Sequence, residues 1–243
     1  MAQLQPVSFE SGACKQVYKQ VEQNGLQSVE ALHDMVQLPA EEIERHLQRL
    51  EDQGYIERRG QRLGIALDLG ERQRYETSDF EYTVRPARED DIDALVDVVV
   101  EIAADKSYAV AEELAAELRY DERIIRHNTS NSRVCFVATT DDDLIGWSHL
   151  DLPLTKKLRP TARLTVGVSE DYRGYGVGTQ LMNRALEWAD DYDYLRVYKN
   201  LARTNVRATS FLKAYGWEQE CVRENHYRID HDEVDQVTMV YTF

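Results

Sequence analysis

The sequence predicts a mixed α/β (α+β) fold with one central mixed sheet, preceded by a small domain of helices and a hairpin. Three observations carry this. From Glu81 to the C-terminus, strand-like and helix-like segments alternate, the pattern of helices packed on a sheet. Before that, apolar residues recur at helical spacing in three short runs, followed by two apolar runs around a basic, Gly-containing turn. Between them, the polar stretch 69–80 lacks periodicity and reads as a linker. Domains of residues 1–75 and 76–243 follow.

Taken in order, Cys14, Val17, Tyr18 and Val21 mark a first helix stopped by Asn24-Gly25. Ser28 can cap a second helix carrying Leu32, Met35 and Val36. Pro39 can open a third, with Ile43, Leu47 and Leu50 on one face and Gly54 at its end. Residues 55–67 read as a hairpin. In the second domain, Tyr82–Pro86 is a strand, and 89–104 is a helix with Ile92, Leu95, Val96, Val99 and Ala103 on its apolar side. A further helix is expected over 111–127. Val134–Thr139 and Leu144–Leu150 form a hairpin about Asp141–Asp143, and Arg163–Val168 is the next strand. A helix over 176–189, a strand over 194–201 and a helix over 205–214 follow. Two strands, near 217–229 and 234–243, complete the chain.

Composition narrows the function classes. The 44 Asp and Glu against 29 Lys and Arg give a net charge of −15, which opposes association with nucleic acid or anionic membranes at ordinary salt. Only 7 of the basic residues are Lys and 22 are Arg. A demand for steering a cationic substrate would not deplete Lys along the whole chain, so the charge is read as halophilic adaptation, in which screening relieves self-repulsion. No segment approaches eighteen uninterrupted apolar residues, so no membrane span is expected. The N-terminus has neither a basic leader nor an apolar signal core, and a cytoplasmic location is expected. Cys14, Cys135 and Cys221 lack metal-ligand spacing and read as free thiols; no metal is expected.

The segment Arg173-Gly-Tyr-Gly-Val-Gly178-Thr179 stands between a strand and a helix. Unpaired N–H groups and the helix dipole converge there on an anion, and glycine lets main chain come within hydrogen-bond distance of phosphate oxygens. Arg173 can add a charge-assisted contact or brace the loop. No Gly-Lys-Ser/Thr follows, so it is not a P-loop, and Thr179 stands where a dinucleotide fingerprint needs a third glycine. The site reads as a pyrophosphate loop.

Arg173-x-x-Gly176-x-Gly178 resembles the coenzyme A loop of the GNAT acetyltransferase superfamily. Residues 84–95 resemble the family's opening strand and first helix, and Ile145-Gly-Trp147 its third strand. Asn205-x-x-Ala208-x-x-Phe211-Leu212-x-x-x-Gly216-Trp217 resembles its Asn-containing segment. The resemblance spans about residues 82–243. It implies a GNAT fold and acetyl-CoA as acetyl donor. It also implies that the backbone of Val166, Gly167 and Val168 holds the acetyl carbonyl and pantetheine arm. Arg173, Gly174, Tyr175, Gly176, Val177, Gly178 and Thr179 would hold the pyrophosphate, and Asn205 would reach the pantetheine. The implied reaction is attack by an amine acceptor: a small amine, a protein N-terminus or a lysine.

The sequence departs from the family at two places. Leu212 stands where many members have a Tyr proposed as acid, and Asn200 where some have a Glu as base. Asp151, Tyr172, His149 and Tyr227 are the candidates for proton handling, none with a spacing argument, so the catalytic residues are unassigned.

The helices and hairpin of residues 12–68 resemble a winged helix-turn-helix domain, with Arg58, Arg59 and Arg62 in the wing. Residues 1–75 carry 9 basic and 12 acidic residues, so a protein contact or homodimer is expected ahead of DNA. The alternative function is a DNA-binding transcriptional regulator whose second domain senses acetyl-CoA or acetylates bound factors.

Overall fold

The computed structural model describes residues 9–24, 27–67, 69–103, 111–121, 124, 132–141, 143–153 and 161–243. They divide into two compact units, one up to Leu69 and the other from Gly70 onward.

The first unit contains α1 (Gly12–Asn24), β1 (Gln27–Ser28), α2 (Val29–Met35), α3 (Ala40–Asp52), β2 (Ile56–Arg59) and β3 (Arg62–Ile65). Ser28 Oγ accepts the Ala31 N–H at 3.1 Å, which caps α2. Pro39 is the N-cap of α3, and Gly54, at φ 69°, turns the chain into β2. Val17, Val21, Leu32, Ile43, Leu47, Leu50 and Leu63 are fully buried and form one core. β2 and β3 make the expected hairpin. β1, only two residues long, joins β3 as a third strand; a strand this short has no periodicity to read.

The second unit contains β4 (Gln73–Glu76), β5 (Glu81–Pro86), α4 (Ile92–Ala103), α5 (Ala111–Asp121), β6 (Ser132–Thr140), β7 (Asp143–Leu152), β8 (Thr161–Val168), α6 (Val177–Asp191), β9 (Arg196–Ala202), α7 (Val206–Ala214), β10 (Glu218–Ile229) and β11 (Asp232–Thr242). Its described residues build an eight-stranded sheet in the order β10-β11-β9-β8-β7-β6-β5-β4. The linker expectation for 69–80 is corrected here. β4 pairs antiparallel with β5, and Tyr75 stacks on Tyr82 with ring centroids 5.2 Å apart. An edge strand half in solvent carries little apolar alternation, which hid it from a periodicity reading. The helix expected over 89–104 begins as a short turn at Glu89–Asp91 before α4. α5 ends at Asp121; of the further residues expected in that helix, 122–123 and 125–127 lie outside the described residues.

Side-chain alternation assigns the two faces of the sheet. α4 and α5 pack on Cys135, Val137 and Trp147. Strand register then places His149, Thr165 and Gly167 on that face. α6 covers the opposite face, with the Arg184 guanidinium 5.2 Å from the Phe136 ring centroid; Leu164, Val166 and Val168 belong there. No helix among the described residues is long and apolar enough to cross a membrane.

Candidate active site

The site begins with a failure of strand pairing. β8 and β9 run parallel, but their register covers only Thr161↔Arg196, Ala162↔Val197 and Arg163↔Tyr198. Beyond that point the strands part, and the edge of β8 from Leu164 to Val168 presents backbone donors and acceptors with no strand to take them. A cleft of about 640 Å³ opens between the parted strands, lined by both of them and by α6 and α7.

At one end of the cleft stands the N-terminus of α6. Its N-cap, Gly176, is left-handed at φ 85° and gives no side-chain cap. The first intrahelical bond is donated by the Gln180 N–H to the Gly176 carbonyl, so the preceding N–H groups of the turn have no helical acceptor. Gly174 has φ 91°, and a Cβ placed at Gly174 or Gly176 would meet no protein atom within 4 Å. The left-handed backbone is one that L-residues rarely adopt and favours glycine, while the open space leaves the main chain accessible to a ligand. Arg173 Nε donates to the Val168 carbonyl at 2.8 Å, bracing the turn against the end of β8. The arrangement suits a pyrophosphate-bearing ligand, which supplies acceptors for these donors.

Of the residues singled out from the sequence, Val166, Gly167, Val168, Arg173, Gly174, Gly176, Gly178, Thr179 and Asn205 line this cleft. Tyr175 and Val177 do not. The Tyr175 ring packs edge-on against Phe80 at 5.1 Å, and the Val177 side chain is fully buried. Asn205 Oδ1 accepts the Ala208 N–H at 3.0 Å, so it also caps α7.

The proton-handling candidates are dispersed. Asp151 is ion-paired with Arg163 at 2.7 Å, and Tyr172 packs edge-on against Phe80 at 5.2 Å. His149 is buried, and desolvation, with the nearby Arg133 and Arg163, pushes its imidazole down to about 3, so it is neutral at physiological pH. Tyr227 is raised by burial, opposed by Arg163 and Arg223. Its hydroxyl donates to Gln236 Oε1 at 3.0 Å. Gln236 Nε2 donates to Thr238 Oγ1 at 3.1 Å, and Thr238 Oγ1 donates to Asn200 Oδ1 at 3.0 Å. The chain of bonds ends on the cleft wall, because Asn200 lines the cleft. With its oxygen engaged by Thr238, Asn200 has its amide N–H₂ left to offer as a donor, and a carboxamide is no base.

Among the residues that the sequence reading did not single out are Lys199 and Tyr215, which line the cleft, and Thr238, which stands behind its wall. Thr238 is brought opposite Asn200 only by β11 pairing. Tyr215 reaches α6, where its hydroxyl accepts from Thr179 Oγ1 at 3.1 Å. Lys199 also lines the cleft and is 8% exposed. A signal for Lys199 was present: it interrupts the apolar series Val197, Lys199, Leu201 on one face of a strand.

Comparison with known proteins agrees with this architecture. The sequence matches none of the curated proteins with which it was compared. Among solved structures, an acetyltransferase of the GNAT family from Streptococcus pneumoniae aligns with a TM-score of 0.55 at 18% identity, covering 67% of this chain and 99% of its own. Ribosomal-protein-alanine N-acetyltransferase from Brucella melitensis aligns with a TM-score of 0.53 at 17% identity, covering 66% and 99%. The yncA protein of Salmonella typhimurium, solved with its cofactor acetyl-CoA, aligns at 0.55 with 14% identity, covering 66% and 93%. At such identities the likeness shows the fold. The profile of the Acetyltransferase (GNAT) family matches residues 96–217, a span that holds β8, the glycine turn, α6, β9 and α7, and on that match the chain belongs to the GNAT acetyltransferase family.

Proposed function

We propose that this chain is an acetyl-CoA-dependent N-acetyltransferase acting on an amine acceptor. The observation that carries the reading is the convergence, in one cleft, of an unpaired strand edge and a glycine-lined helix N-terminus. When bound, acetyl-CoA supplies a thioester whose acetyl carbon an amine can attack. The N–H groups of the turn from Gly174 to Thr179 would hold its pyrophosphate, with Arg173 keeping the turn in place. The edge of β8 at Val166–Val168 would hold the pantetheine and polarise the carbonyl through main-chain donors. Asn205 would support the pantetheine side. On the opposite face of the sheet, Asn200 would donate a hydrogen bond towards the reacting groups, its amide fixed by Thr238, Gln236 and Tyr227. The acceptor's proton would pass to water.

Calorimetric titration of acetyl-CoA at high KCl, with wild type beside Gly176→Glu, tests this. Saturable binding is expected for wild type, and loss of binding for the variant, which places a carboxylate at the pyrophosphate. Absence of binding to folded wild type would overturn the reading. Thiol release with small amines, peptide N-termini and lysine peptides then sorts the acceptors.

For the first unit we propose a winged helix, since α1, α2 and α3 precede the β2–β3 hairpin and β1 joins β3. We place the boundary of the catalytic domain near Gly70, because β4 belongs to its sheet.

A further inference from the structure

Lys199 lies on the wall of the donor cleft and has no role in the transfer described above. Strand register puts its side chain, with those of Val197 and Leu201, on the α6 face of the sheet. Tyr198, immediately before it, is the last residue of β9 paired with β8, so Lys199 stands where the strands part. It shares the cleft wall with Leu164, Met182, Phe211 and Leu212, and its partner on β11 is Met239. These neighbours from β8, α6, α7 and β11 carry no titratable group. Arg173, Arg207 and Tyr215 also line the cleft but do not shift it; burial alone pushes the Lys199 amine down to about 8. No side chain among the described residues forms a hydrogen bond or ion pair with that amine.

We propose that Lys199 is an internal acetyl acceptor, so that the protein modifies the wall of its own donor cleft. The inference rests on the acetyl-CoA reading above. The lone pair of neutral Nζ attacks the acetyl carbon and a C–N bond forms. The C–S bond breaks with its electron pair on sulfur, and the proton shed by nitrogen ends on the departing thiolate. The products are Nε-acetyl-lysine and free coenzyme A, with no further reactant. Two features of the site favour this. An amine that titrates near 8 is about one-tenth free base at pH 7, where an ordinary lysine is almost wholly protonated. An ammonium on a residue this buried and set among apolar neighbours is also costly, and the amide product lowers that cost because it carries no charge.

Full-length protein incubated with acetyl-CoA across about pH 7 to 9.5, followed by intact mass and peptide mapping, tests the proposal; donor binding is measured on the same sample. One acetyl group per chain is expected, on Lys199, appearing roughly a hundredfold or more faster than on exposed Lys213, as for groups held in one cleft. Its rate should level off just above pH 8. Lys199→Met, which keeps the apolar stem, should lose the modification, and Gly176→Glu should lose it together with donor binding. Saturable binding with Lys199 unmodified overturns the inference and leaves the donor reading standing. Modification that persists in Gly176→Glu without binding overturns it as well, marking ordinary chemical acetylation. Absence of binding to wild type overturns the donor reading first, and this inference with it.

Discussion

His149 shows how single residues set the response of this fold to acid. Its Nε2 is buried without a hydrogen-bond partner, and its folded value of about 3 lies far below that of a free histidine. The folded protein therefore binds fewer protons than the unfolded chain between about pH 3 and 6.5, and acid favours unfolding across that window. Lowering the pH from about 6.5 to 4.5 is expected to remove up to about 3 kcal/mol through this group. Urea unfolding of wild type and His149→Phe at both pH values checks it. The variant should lose less stability than wild type over the same interval, and equal losses would mean that His149 is protonated in the folded state.

Among the elements, the β2–β3 hairpin decides what the first unit can bind. Arg58 would be a phosphate contact in a wing, yet it donates to Glu51 at 2.7 Å and to Glu44 at 2.8 Å, both on α3. Those carboxylates hold its guanidinium above the ordinary arginine value, the Glu44 bond contributing most. With α3 also acidic at its first turn, the unit presents little to a phosphate backbone. Fluorescence anisotropy on duplex DNA at physiological salt should show no binding by wild type, while Glu44→Gln with Glu51→Gln should release Arg58 and raise affinity. Tight wild-type binding that Arg62→Glu abolishes would instead favour the regulator. The cleft obeys a similar logic of elements. It exists because β8 and β9 stay paired for three residues and then separate, which leaves one strand edge for a ligand to complete.

For the whole molecule, a charge of −15 spread over both units makes self-repulsion a term that salt can remove. We propose adaptation to a salty interior, and the melting temperature is expected to rise between low and molar KCl. Differential scanning calorimetry checks this; a flat or falling response would return the acidic surface to the role of attracting a cationic acceptor.

The sequence by itself determined the order of nearly all the elements, because apolar spacing reports which face of a helix or strand is buried. It also marked the glycine turn, since a left-handed backbone before a helix demands that residue type. Leu212 and Asn200 were legible as departures, but what stands near them was not. Only the tertiary structure revealed β4, whose edge position suppresses alternation, and the two-residue β1. It alone joined Asn200 to Thr238, Gln236 and Tyr227, residues that antiparallel pairing brings together across up to 38 positions of chain. It also turned Lys199 from one more strand residue into a buried amine on the donor cleft. Local spacing fixes a side chain's face within its own element, whereas its desolvation and partners depend on strands and helices distant in the chain.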